Sequence, residues 1–125
     1  MTNDVRYFKY AWGPLLLHFK YPKKYITKLK RICKKVKTKN GHQSHLAGIF
    51  PSGNQDSFKR QDRLWFYRTI EPYFEAWSNA GVDYYGWKEA PRLKPHTVWV
   101  NHMKPGDFNP PHIHDGNVTF VLFVD

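Results

Sequence analysis

The sequence has one cysteine, Cys33, which leaves no partner for a disulfide within the chain. A lone thiol suits a reducing compartment, since disulfides persist where conditions are oxidising. The first residues lack the basic and then apolar order of a signal peptide. The apolar run at residues 15–17 is far too short to cross a bilayer. These absences predict a cytoplasmic protein that does not enter a membrane.

Internal repeats and low-complexity linkers are also missing, which excludes a repeat architecture. The sequence has no phosphate-binding loop, no cysteine cluster and no Ser/His/Asp arrangement. A length of 125 residues suits one domain, and a hydrophobic content of 41% with 18% aromatic residues is enough for a core. We therefore expect a single α+β domain over residues 1–125.

Positive charge is plentiful but unevenly placed. The net charge of +10 arises in the first 40 residues, which sum to +11, whereas residues 41–125 sum to −1. Much of it lies in residues 22–39, where Pro22 suits the start of a helix and Asn40-Gly41 its end. Apolar residues recur there at helical spacing and predict an amphipathic helix: Tyr25, Ile26, Leu29, Ile32, Cys33 and Val36.

The basic face of this helix has two interpretations. Clustered lysine and arginine supply non-specific affinity for phosphates, which predicts nucleic-acid binding through residues 23–39, with Lys28, Arg31 and Lys35 as contacts. The protein would then be a basic accessory protein without catalysis. The other interpretation is the solvated outer face of a packed helix. The sequence leaves both open.

The helical or flanking region extends over about residues 20–80. Residues 15–19 before it predict an early strand, and residues 46–50 a short one in a loop-rich stretch. A second helical stretch covers residues 60–81, where Pro72 predicts a kink or two shorter helices and Gly81 a stop.

Residues 93–125 change character, because valine, threonine and aromatic residues replace the helical pattern. They predict two strands, at about 93–103 and 117–124, joined by a loop that carries His112 and His114. Side chains two apart on an extended backbone point to the same side, so both imidazoles can reach one metal ion. The alternative is that they are merely solvated loop residues.

The same region resembles a known family. The segment at residues 97–125 is similar to the iron-binding region of 2-oxoglutarate/Fe(II)-dependent oxygenases, in particular the group common in tailed phages and proteobacteria. That group has Trp-x-Asn, then Gly-x-(Phe/Tyr)-Asn, then Pro-x-His-x-His before an apolar strand. The matching residues are Trp99, Asn101, Gly106, Phe108, Asn109, Pro111, His112 and His114.

The resemblance implies the N-terminal part of a double-stranded β-helix, or jelly roll, with flanking helices. It also implies a dioxygenase with the cofactors Fe(II) and 2-oxoglutarate, which uses O2 to hydroxylate an unidentified small molecule or protein. In the family's usual triad the second position is acidic, whereas here His114 takes it. Either His112 and His114 both bind, or His112 binds with Asp115; strand alternation turns Asp115 away and favours the two histidines.

Three further residues are expected at the cofactor: Trp99, Asn101 and Asn109. Asn101 has two roles open to it, a hydrogen bond to the bound cosubstrate or one to the loop backbone. A jelly roll needs about eight strands, more than the pattern predicts, so we expect a truncated fold that lacks the third ligand and the 2-oxoglutarate-binding arginine. A weaker alternative is a cupin-like isomerase or lyase, since cupins also place His-x-His at the start of a strand.

Overall fold

The computed structural model describes residues 5–10, 13–36, 54–108, 110–114 and 116–124. The helices and strands, in chain order, are β1 (Tyr7–Tyr10), β2 (Leu16–Phe19), α1 (Lys23–Lys35), β3 (Asn54–Ser57), α2 (Arg60–Tyr85) and β4 (Trp99–His102). The strands form two antiparallel pairs, β1 with β2 and β3 with β4. This mixture of helices and antiparallel strands is compatible with the α+β class. The described residues contain no jelly roll.

The amphipathic helix predicted at residues 22–39 is α1, and its apolar stripe is buried as expected. Leu29 and Ile32 are only 1% and 3% exposed. The helix ends at Lys35, earlier than predicted, because Val36 has an extended backbone conformation, although its N–H still donates to the carbonyls of Ile32 and Cys33. The expected stop at Asn40-Gly41 lies outside the described residues.

The second helical stretch is one helix, α2, of 26 residues with Pro72 inside it. The alternative of two shorter helices is therefore wrong. Proline removes one helical hydrogen bond, but Phe66 and Ile70 before it and Phe74 after it all pack on the same core. That shared burial holds the chain in helix on both sides of Pro72.

Gly81 is not the predicted helix stop. α2 continues to Tyr85 and ends at Gly86, whose φ of 69° is the left-handed conformation that glycine adopts most easily. Gly81 is buried inside the helix against the ring of Trp87, and a Cβ atom there would overlap that ring. Glycine at position 81 allows close packing against Trp87 and does not end the helix.

The strand predicted at 93–103 is present but short, since β4 covers only Trp99–His102 and is paired with β3. β3 lies in a stretch predicted as loop. The strand predicted at residues 117–124 is wrong, because residues 118–124 join neither of these pairs. A strand also needs a neighbouring strand to hydrogen-bond its backbone, and residue composition does not provide one. The strand expected at residues 46–50 lies outside the described part of the chain.

The C-terminal segment packs through its side chains instead. The ring of Phe120 lies 6.2 Å from Phe66 and 5.5 Å from Phe74, measured between centroids. Leu122 and Val124 also pack against the main core, which joins α1, α2 and Val98. Val121 and Phe123 between them are 74% and 87% exposed. Alternate side chains thus pack toward the core, with Leu122 and Val124 half-buried, although no strand forms.

The hairpin of β1 and β2, which contains the predicted early strand, is attached to the far end of α2. The backbone N–H of Leu15 donates to the Tyr85 hydroxyl at 2.8 Å, and Trp77 Nε1 donates to the Leu15 carbonyl at 3.2 Å. The Tyr84 hydroxyl donates to the carbonyl of Gly13. In the described residues, no helix is long and apolar enough to span a membrane.

Candidate metal centre

A tight turn after β4 brings the chain back toward the strand. The Asp107 N–H donates to the Lys104 carbonyl at 3.0 Å, and the Asp107 carboxylate accepts from the Lys104 N–H at 2.8 Å. Pro105 and Gly106 occupy the two central positions, and Gly106 has a φ of 94°. Proline followed by a residue with positive φ is the signature of a type II turn. This closed turn fixes where the histidine loop begins.

The two predicted ligands meet at their Nε2 atoms. His112 Nε2 and His114 Nε2 are 2.9 Å apart, and the ring centroids are 4.5 Å apart. Both side chains are exposed, and Ile113 between them is 96% exposed. The structure thus brings both imidazoles together, in the manner expected of side chains two apart on an extended backbone.

A backbone carbonyl orients the first histidine. His112 Nδ1 lies 2.7 Å from the carbonyl oxygen of Pro110. A carbonyl only accepts, so Nδ1 carries the proton and Nε2 of the neutral ring keeps a free lone pair. His114 Nε2 then donates to it across the 2.9 Å contact. A hydrogen bond on one ring nitrogen is the usual way to present the other nitrogen to a metal.

Trp99 supports the second histidine. Its ring centroid is 5.7 Å from that of His114, with the planes inclined by 32°. Trp99 and Asn101 are both exposed along β4, as alternation in a strand predicts, whereas Val100 and His102 are half-buried. No hydrogen bond links Asn101 to either His112 or His114, all of which the structure describes. Trp99 is therefore part of the site, and Asn101 lies on the same face of the strand.

His96 and His102, the described histidines closest in sequence to this pair, lie apart from it. His102 is on the inner side of β4, and its Nε2 is buried without a hydrogen-bond partner in the described structure. His96 is exposed, and its Nδ1 is 3.0 Å from the Thr97 hydroxyl. Neither has a hydrogen bond or a ring contact with the pair. Asn109 and Asp115 lie outside the described residues.

Two imidazoles are an incomplete metal site. Across the described ranges, no group of three or more His, Cys, Asp or Glu side chains could hold a metal ion. The pair nevertheless fits one. Metal–imidazole bonds are about 2.0–2.1 Å long, so two adjacent ligands of an octahedral ion have nitrogens about 3 Å apart, close to the 2.9 Å observed. The donor set suits a first-row transition metal.

The cations predicted to contact nucleic acid lie on α1. Arg31 and Lys35 are exposed, as a phosphate contact requires. Lys28 is half-buried, and its Nζ lies 4.2 Å from the centre of the Trp65 ring. Lys28 therefore contacts an aromatic ring and is not freely solvated.

The sequence did not reveal the carbonyl of Pro110 as part of the site. Its role depends on the backbone conformation of the loop, for which the only signal was the Pro110-Pro111 pair before His112. Proline has no N–H but keeps its carbonyl as an acceptor. The carbonyl of a proline two residues before a candidate histidine ligand can therefore accept a hydrogen bond from that histidine.

A large apolar groove lies elsewhere in the molecule. Its volume is about 1390 Å³, and it is lined by β2, the C-terminal half of α2 and residues 117–123. Neither His112 nor His114 lines it. The groove and the histidine pair are therefore separate features.

Comparisons with known proteins add no assignment. No protein-family model matches the chain, and neither a curated protein nor a solved structure is significantly similar to it.

Proposed function

We propose that His112 and His114 are two of the metal ligands of an Fe(II)/2-oxoglutarate-dependent dioxygenase. The observation that carries the proposal is the 2.9 Å approach of the two Nε2 atoms, with His112 Nδ1 already anchored on Pro110. The choice of iron and 2-oxoglutarate rests on the sequence resemblance at residues 97–125. Bound Fe(II) would supply O2-dependent hydroxylation of a C–H bond, coupled to decarboxylation of 2-oxoglutarate.

The chain's own residues have distinct tasks in this proposal. His112 needs no change of tautomer, because Nδ1 carries the proton and Nε2 keeps its lone pair whenever the ring is neutral. His114 has to move its proton from Nε2 to Nδ1 before Nε2 can bind. Trp99 holds the ring plane of His114 during that change. The two neutral histidines can therefore take up the metal without releasing a proton.

Asn101 and Asn109 are assigned to the cosubstrate. Asn101 is exposed on the same face of β4 as Trp99, two residues from it, so its amide is available to a ligand bound beside the histidines. An amide both donates and accepts, which suits a carboxylate or keto oxygen. Asn109 is proposed from the resemblance alone.

Calorimetric titration with Mn(II) under anaerobic conditions tests the ligand pair. His112→Ala and His114→Ala should each weaken binding strongly, whereas Asp115→Ala should have little effect. If His114→Ala binds as well as the unmodified chain while Asp115→Ala does not, the ligands are His112 and Asp115. If all four proteins bind alike, the loop is not a metal site.

The same titration distinguishes a dioxygenase from a cupin-like isomerase or lyase. 2-Oxoglutarate can chelate a metal through its keto and carboxylate oxygens, so its presence should tighten Mn(II) binding. Glutarate, which has both carboxylates but no keto group, is the matched control and should have no such effect. Equal affinities with both acids would contradict the dioxygenase assignment and leave the metal site intact.

A further inference from the structure

One side of α1 carries a row of cations. Lys24, Lys28, Arg31 and Lys35 recur at spacings of four, three and four residues, so they lie along a single line of the helix. The row is about 16 Å long at 1.5 Å per residue. α1 contains seven basic residues and no acidic one. Within the part of the chain that the structure describes, none of these cations forms an ion pair.

Two half-buried aromatic rings lie beside this row. The Nζ of Lys28 is 4.2 Å from the centre of the Trp65 ring, and the Nζ of Lys24 is 4.9 Å from that of Tyr25. The Tyr25 and Trp65 rings meet edge to face with centroids 6.2 Å apart. Trp65 belongs to α2, so the packing of two helices places an indole next to the cations.

We infer that the cation row and Trp65 form a binding site for single-stranded nucleic acid. Proteins that bind single strands combine a positively charged track for the backbone with aromatic rings on which bases stack. The row supplies the track, and Trp65 supplies the ring. This inference stands independently of the proposed metal site, since no residue is shared.

The burial of the apolar face of α1 argues against a membrane surface as the partner. A helix that lies on a membrane inserts its apolar side among the lipids. In α1 that side is already used, because Leu29 and Ile32 are 1% and 3% exposed within the core. Vesicle binding would have to depend on charge alone.

Stacking on Trp65 favours a single strand over a duplex. The bases of a duplex are stacked on one another, whereas those of a single strand are free to stack on an aromatic side chain. In the free protein the ammonium of Lys28 covers the Trp65 ring. Base stacking is comparable in strength to a cation–π contact, and the displaced Lys28 gains a phosphate as its partner. A base can therefore displace Lys28 from the ring.

The helix offers a matched control for the row. Lys23, Lys30 and Lys34 are also exposed and form a second row, about 110° around α1 from the first at 100° per residue. Lys24→Gln/Arg31→Gln/Lys35→Gln and Lys23→Gln/Lys30→Gln/Lys34→Gln each remove three charges. Lys28 is left unchanged in both, because its substitution would also uncover Trp65.

The assay is fluorescence anisotropy with a labelled oligothymidine, repeated at several salt concentrations. The first triple variant should lose at least about tenfold in affinity, and the dependence of log K on log salt should become shallower by about two for three lost phosphate contacts. The control triple should lose much less. Equal losses in both triples, or no measurable binding at low salt, would overturn the inference.

Trp65→Leu tests the aromatic contribution, and Trp65→Phe keeps a ring at the same position. Trp65→Leu should weaken oligothymidine binding but leave binding of heparin, a polyanion without bases, unchanged, and Trp65→Phe should restore most of the loss. Circular dichroism checks that both variants fold. Tighter binding to a duplex, to heparin or to phosphatidylserine vesicles than to oligothymidine would refute a single-strand site.

Discussion

Gly81→Ala should destabilise the protein even though alanine is the better helix former. Inside a helix, alanine is favoured over glycine by about 0.8–1.0 kcal/mol. The added methyl group, however, would overlap the ring of Trp87. That ring is stacked on Tyr85 at 4.9 Å and lies 5.8 Å from Trp77, so it cannot move without losing these contacts.

The magnitude follows from these contacts. Each aromatic pair is worth about 0.5–1.5 kcal/mol beyond its buried area, and overpacking a filled site costs about 1–3 kcal/mol. Because the lost pairs are part of the overpacking cost, the net destabilisation should be about 0–2 kcal/mol after the helix gain is subtracted. Urea unfolding followed by far-UV circular dichroism measures this difference in the free energy of unfolding.

The Trp87→Leu variant tests whether overlap with the Trp87 ring causes the destabilisation. With Trp87→Leu the ring is gone, so adding Gly81→Ala to that variant should be neutral or stabilising by up to about 1 kcal/mol. The two substitutions are in contact, and a double-mutant cycle therefore measures their coupling directly. A Gly81→Ala protein more stable than the unmodified chain would refute the packing argument.

Three further outcomes can be checked. Burial raises the pKa of the Tyr21 hydroxyl above its ordinary 10.0. The contribution of this hydroxyl to the free energy of unfolding should therefore be present below pH 10.0 and be lost as pH rises through its pKa in the folded state. When unfolding midpoints are measured against pH, the midpoint of Tyr21→Phe should fall less over this range than that of the unmodified chain. Burial also raises the pKa of the Cys33 thiol, so iodoacetamide should modify it more slowly in the folded chain than in urea, and equal rates would contradict its burial. Trp99→Leu should weaken Mn(II) binding about tenfold by releasing the His114 ring, whereas an unchanged affinity would show that the ring contact does not support the ligand.

Local patterns predicted the helices better than the strands. The apolar stripe of α1 was evident because Leu29 and Ile32 recur at helical spacing and are buried. Gly81 was misread, since a glycine that packs against Trp87 and one that ends a helix look alike in sequence. β3 is composed of Asn, Gln, Asp and Ser and forms only because β4 pairs with it. Residues 118–124 have strand composition, but no strand among the described residues pairs with them.

The candidate site could be predicted only in part for a similar reason. The positions of His112 and His114 follow from the alternation of side chains, which is a local property. The contact between Trp99 and His114 joins residues 15 positions apart, and the hydrogen bond to Pro110 depends on loop conformation. Neither contact can be deduced from the spacing of residues in the sequence. The resemblance to the oxygenase family predicts Trp99 at the cofactor, and the structure places its ring beside His114.

The attachment of the hairpin to α2 has a consequence for how this protein can evolve. Tyr85 and Trp77 bind the main-chain N–H and carbonyl of Leu15, and Tyr84 binds the carbonyl of Gly13. Every residue has these backbone groups except that proline lacks the N–H. Side chains in the hairpin can therefore drift without loosening these bonds, whereas the three aromatic residues of α2 are under constraint. Sequence variation should accordingly be greater in the hairpin than at its anchor.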